Sequence, residues 1–325
     1  MIDTIVLNLP KNMFRVTDPE FFEPNCELFL SFTAFRGQGM RKAIQNHTKQ
    51  DIMENNYKPR LTIFNRPAQG GRQISLKIEF SAPKLLFGNN FDELKDSDFD
   101  NLLHVLAEKL KFMGVSVSSS VLKYAPVSAV HYSKNIVLAD FTSCSMILNT
   151  LKEVDLNERL DLATTDFRNG GHILRYHANS FELVFYDKIK DLEQAKKSEK
   201  RAFESDNIYQ MSIFEQIQDK WLQDRKPFEV LRMELRLCNR PKIKRVFKKE
   251  KYDCPITFVN IFSKTKASRI LLEYWKEVDE GLNFFAVDAS NAVDLLESIK
   301  SYFPAMKPSR LLKLVGTILL IQTGG

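Results

Sequence analysis

The chain has 325 residues, too many for one small core and suited to one large domain or two. Its hydrophobic content of 44% and charged content of 27% are those of an ordinary soluble globular protein. The 47 Lys+Arg against 41 Asp+Glu leave a formal net charge of +6, which permits a polyanionic partner without requiring one. Cys26, Cys144, Cys238 and Cys254 make no CxxC pair and no zinc pattern, so they read as thiols of a reducing compartment. The opening "MIDTIVLNLPKNMF" lacks the order of a secretory signal, and the late run "LLKLVGTILLI" is interrupted by Lys313 and too short to span a bilayer. A cytoplasmic protein with no membrane partner is expected.

In chain order, "TIVLNL" reads as an opening strand. "RLTIFNR" and "ISLKIEFSA" follow as strands joined through "PAQGGRQ". Ile74, Leu76, Ile78 and Phe80 alternate with Ser75, Lys77 and Glu79. Residues 92–113 read as a helix, with Phe99, Leu102, Leu103, Leu106, Leu110 and Met113 on one stripe. The stretch 115–138 has β character, and a second helix is expected over about 143–155. "GHILRYHANSFELVFY" predicts a hairpin turning at "ANS", followed by a charged helix from about 187 to 204. "FEVLRMELRL" predicts a strand with Val230, Arg232, Glu234 and Arg236 on one face and Leu231, Met233, Leu235 and Leu237 on the other. From about 255 the pattern is helical to the end. The expected architecture is α+β: a largely antiparallel sheet with helices packed on one side, and a helical C-terminal portion. The expected domains are 1–252 and 253–325.

Three places suggest chemistry. Tyr186 ends an apolar strand and is followed by a helix with six basic residues from Lys188 to Arg201. A phenol with a pKa of about 10 becomes a nucleophile when a cation stabilises its phenolate, and a helix start suits a phosphate. The alternative is a strand-end tyrosine with its ring on the core and its hydroxyl in water. In "VLRMELRL", Glu234 stands between Arg232 and Arg236, as a metal ligand between two phosphate clamps or as part of an exposed face of ion pairs. His131 lies in a β-like run, as a metal ligand or as a structural histidine. The segment Arg240–Lys251 has seven basic residues and one acid. Its Lys242, Lys244, Arg245 and Lys248, with Ile243, Val246 and Phe247 interleaved, suit a surface that tracks a nucleic-acid backbone, or a solvated linker.

Four segments, in order, resemble the filamentous-phage replication initiators (the gene-two and gene-X proteins) and, more distantly, transfer-type plasmid rolling-circle initiators. They are "MIDTIVLNLP", "LKIEFSAPKLLFGNN", "ELVFYDKIKDL" and "VLRMELRL", spread over about residues 1–250. The resemblance implies an HUH-nickase-like fold, in a possible permutation, within residues 1–252. It implies Tyr186 as nucleophile with Lys188 beside it, and a Mg²⁺ or Mn²⁺ ion held by Glu234 with His131 or Asp191. Relatives carry an aspartate in an Arg-Ile-Asp-like strand where this chain has Ala129-Val130-His131. The His-hydrophobe-His pair of the wider superfamily is absent, and the lysine sits two residues after the tyrosine. The implied activity is nicking of a single-stranded or supercoiled DNA origin by transesterification, to give a 5′-phosphotyrosine and a free 3′-hydroxyl for the replication machinery of a bacterial host. A non-catalytic DNA-binding regulator on the same scaffold is the alternative.

Overall fold

The computed structural model describes residues 1–27, 30, 39–48, 51, 54, 56–69, 71–138, 143–152, 154, 156, 164–168, 172–191 and 229–281, with single positions beyond. Its strands are β1 (Ile2–Pro10), β2 (Arg15–Val16), β3 (Arg41–Gln45), β4 (Arg60–Ala68), β5 (Gly71–Ser81), β6 (Val115–Ser116), β7 (Val127–Leu138), β8 (Thr164–Arg168), β9 (Ile173–His177), β10 (Phe181–Asp187) and β11 (Glu229–Leu237). Its helices are α1 (Ala82–Phe87), α2 (Phe99–Phe112), α3 (Ser119–Lys123), α4 (Cys144–Lys152), α5 (Arg240–Lys249), α6 (Phe258–Ile261) and α7 (Lys264–Gly281).

Nine strands form one sheet in the order β3-β4-β5-β1-β7-β11-β10-β9-β8, while β2 and β6 make a separate ribbon. Every neighbouring pair in the large sheet is antiparallel. The α+β class with a large antiparallel sheet is therefore observed. The alternation read in β5 is real: Ile74, Leu76, Ile78 and Phe80 are buried, whereas Lys77 and Glu79 are half-exposed.

Aromatic contacts show where the helices meet the sheet. Phe80 of β5 meets Phe258 of α6, which also meets Phe99 of α2 at 5.1 Å between ring centroids. Phe181 and Phe185 of β10 meet Tyr274 and Trp275 of α7. The Tyr176 hydroxyl of β9 donates to the Leu151 carbonyl of α4 at 2.6 Å. Burying each such aromatic is worth roughly 1.5–3 kcal/mol.

Several expectations shift. The helix expected from 92 begins at Phe99, because Asp98 accepts the Lys95 N–H at 2.7 Å and closes a short 3-10 turn first. It stops at Phe112, two residues before Gly114, whose φ of +72° and contact with Asp18 leave no room for a Cβ. The β-like stretch 115–138 contains α3, started by Ser118, whose side chain accepts the Val121 N–H. The hairpin turns at 178–180 as expected. Of the charged helix expected over 187–204, residues 188–191 are helical and the remainder lies outside the described residues. The helical segments expected after 281 lie almost wholly outside them too.

The domain boundary also moves. Met1–Gly281 forms one compact unit and Leu282–Gly325 a second, so the break expected at 252/253 is not there. The reason is packing: α6 and α7 close the apolar face of the sheet. No helix among the described residues is long and apolar enough to cross a membrane.

Candidate active site

The polar face of β11 is not exposed. Its leucine-rich opposite face packs under the helices, and Arg232 and Glu234 are themselves buried, at 1% and 3% exposure. Beside them opens a cleft of ≈ 630 Å³. Five sequence-predicted residues line it together: His131, Tyr186, Lys188, Asp191 and Glu234, with Arg236 as a sixth. Register brings them there. Antiparallel pairing sets His131 of β7 opposite Arg236, and Tyr186 of β10 opposite Arg232.

Glu234 is the hub. Its Oε1 accepts from Arg236 Nε at 2.9 Å and lies 3.4 Å from His131 Nδ1. Its Oε2 accepts from the Tyr186 hydroxyl at 3.4 Å. Arg236 continues to Glu182 at 3.1 Å, and Glu182 meets His177 at 3.1 Å, so a chain of polar contacts crosses three strands. Burial opposes ionisation of Glu234, but Arg236 and His131 outweigh it and hold its carboxyl well below the ordinary range.

Tyr186 is buried at the cleft wall. Burial pushes its phenol well above 10, against the pull of Arg232. Lys188 is fully buried beside it, with Nζ 5.7 Å from the Tyr186 ring centroid and 3.7 Å from Asp191. Burial lowers Lys188 to about 8, against the pull of Asp191, while the charges of Arg232 and Lys84 lower it further.

One expected DNA contact is corrected. Arg232 does not reach the cleft. Its guanidinium binds the Asn90 carbonyl at 2.7 Å, Ser133 Oγ at 2.9 Å, Asn135 Oδ1 at 3.2 Å and Asp3 at 3.2 Å, and so braces the sheet from inside. Lys242 is half-buried, with its ammonium 3.8 Å from the Phe181 ring centroid. Lys244, Arg245 and Lys248 are exposed, but on α5 and outside the cleft. The basic segment is an amphipathic helix rather than a linker: Asn239 caps it through the Lys242 N–H, and Ile243, Val246 and Phe247 anchor it. Lys244 and Lys248 join Arg240 and Lys251 along a second cleft of ≈ 530 Å³.

The expected ligand trio of Glu234, His131 and Asp191 does not converge as one compact set of donors. Glu234 and His131 do face each other. One carboxylate and one imidazole fit a Mg²⁺ or Mn²⁺ ion that takes its other ligands from water and substrate phosphate. Arg236 shares that carboxylate, and Asp191 pairs with Lys188 instead.

The cleft also holds residues that sequence reasoning passed over, among them Asp3, Tyr57, Arg60, Lys84 and Arg175. Asp3 had a signal, since it is the single charge in the apolar strand "IDTIVLNLP". Lys84 lay in the quoted segment "APKLLF". Tyr57, Arg60 and Arg175 reach the cleft through strand order alone, which no local pattern encodes. Comparison of the chain with protein-family models, with curated proteins and with solved structures returns no match.

Proposed function

We propose that the chain is a tyrosine DNA nickase that initiates rolling-circle replication on a single-stranded or supercoiled origin. The observation that carries the reading is the Tyr186 hydroxyl bonded to Glu234 in a cleft that also holds Lys188 and Arg236. The phenol oxygen attacks the scissile phosphorus, the bond to the 3′ oxygen breaks, and Tyr186 keeps a 5′-phosphotyrosine. Glu234 orients the phenol and is the nearest acceptor for its proton, which passes to the departing 3′ oxygen to give the 3′-hydroxyl. Arg236 and Lys188 offset charge on the non-bridging oxygens. Glu234 and His131 would hold a Mg²⁺ or Mn²⁺ ion, whose contribution is Lewis-acid polarisation of the phosphate. The freed 3′-hydroxyl primes the host replication machinery, and religation is the same step reversed. The cations of α5 take the flanking backbone. On this reading the sheet is of the HUH-nickase type with permuted strand order.

The burial of Tyr186 favours a second reading, a DNA-binding regulator without catalysis on the same scaffold. One experiment separates them. Protein, Mn²⁺ and a single-stranded oligonucleotide pool are incubated and resolved on a denaturing gel. A covalent adduct in wild type that vanishes in Tyr186→Phe, with DNA binding retained, supports the nickase. Binding without any adduct supports the regulator. Cleavage that persists in Tyr186→Phe ends the tyrosine assignment.

A further inference from the structure

A second polar cluster lies on the opposite face of the sheet from Tyr186. Asp187 follows Tyr186 in β10, and Glu229 is out of phase with Glu234 in β11, so both point toward the helix side. There they meet Cys144, the first residue of α4. One ligand atom from each of Cys144, Asp187 and Glu229 lies within 4.8 Å of the other two. Cys144 and Asp187 are buried, at 0% and 1% exposure, and Glu229 is half-buried.

Local capping uses part of these acids. Glu229 Oε2 accepts the Cys144 N–H at 2.6 Å, and Asp187 Oδ1 accepts the N–H groups of Ile189 and Lys190 at 3.1 and 3.0 Å. Asp187 Oδ2 is different. It is buried and accepts no hydrogen bond, and Lys190 Nζ approaches it only to 3.5 Å. A buried carboxylate oxygen without a hydrogen bond costs free energy that a close cation recovers.

We propose that Cys144, Asp187 and Glu229 form a binding site for one divalent transition-metal ion of the Zn²⁺ class. The thiol sets that class: hard ions such as Mg²⁺ and Ca²⁺ take oxygen donors, whereas a thiolate beside carboxylates suits Zn²⁺ or Co²⁺. Three protein ligands leave a fourth position for water. The ion ties the start of α4 to the end of β10 and the start of β11. It also sets the backbone between Tyr186 and Lys188 from behind. This site does not depend on the nickase reading, and it shares no residue with the Glu234 cleft.

The test uses the full chain, stripped with chelator and titrated with Co²⁺ alone. A thiolate-to-cobalt charge-transfer band that saturates near one equivalent, and that Zn²⁺ displaces, is expected. Cys144→Ala should lose the band, while Tyr186→Phe and Cys254→Ala should keep it. Asp187→Asn retains the capping oxygen and should fold, with Co²⁺ affinity reduced at least about tenfold. Absence of the band in wild type overturns the site, as does a band of equal strength in Cys144→Ala. If Cys144→Ala does not fold, unchanged affinity in Asp187→Asn overturns it alone.

Discussion

At the scale of single residues, Glu234 joins Arg236, His131 and Tyr186, and Lys188 sets the pH response. Glu234→Gln removes the charge that balances Arg236 and orients Tyr186. Breaking a buried pair of this kind costs about 3 kcal/mol. Urea unfolding should show that loss, and the oligonucleotide adduct should disappear with it. Lys188 reads out differently. Its folded pKa of about 8 lies below the ordinary 10.5. Below pH 8 it is charged in both states, and the native protein bears the full cost of burying that charge. Between pH 8 and 10.5 the native state sheds the proton first, so this residue's contribution to stability rises with pH, by about 3 kcal/mol in total. Unfolding midpoints of wild type and Lys188→Met across that window should converge, with the wild type gaining on the variant. A constant gap between them would refute the assignment. Much at this scale was legible. The alternation in "VLRMELRL" placed Glu234 and Arg236 on one face, and strand pairing carried them to Tyr186 and His131. Local pattern could not show that Arg232 points under a loop to the Asn90 carbonyl, or that Asp191 is taken by Lys188.

Among the elements, β11 and α5 divide the work. β11 carries the charged hub, and α5 offers cations on a separate surface. Replacing Lys244 and Lys248 with Glu should weaken DNA binding and lower the salt slope of affinity by roughly 2, since each cation contacts about one phosphate. Adduct formation at saturating oligonucleotide should stay within about twofold of wild type. An unchanged salt slope would remove α5 from the binding surface. Phe247→Ala tests the other side of the helix. That ring is 1% exposed, and its loss should cost about 3–5 kcal/mol. Element type was largely readable wherever the apolar period was strong, as in β5, α2 and the hairpin of β9 and β10. It was least readable in the basic segment, where charge density hid the spacing of Ile243, Val246 and Phe247, a helical stripe.

For the molecule as a whole, the compact unit ends at Gly281. A fragment of residues 1–281 should therefore fold and melt cooperatively. A fragment of 1–252 lacks α6 and α7, uncovers Phe80, Phe99, Phe181 and Phe185, and should be insoluble or molten. Thermal melts of the two fragments check this. The boundary was illegible in sequence because residues 240–257 read as a break in pattern, while the contacts that cross it are tertiary.

The order of strands has one more result, for the newborn chain. β11 is the last strand of the large sheet to leave the ribosome, yet it sits between β7 and β10. Until it arrives, five strands on one flank and three on the other have no common partner, and two inner edges stand open to other chains. Glu234 and Arg236 travel on that late strand. A polypeptide interrupted before Glu229 thus holds Tyr186 without the carboxylate that its hydroxyl meets in the finished fold.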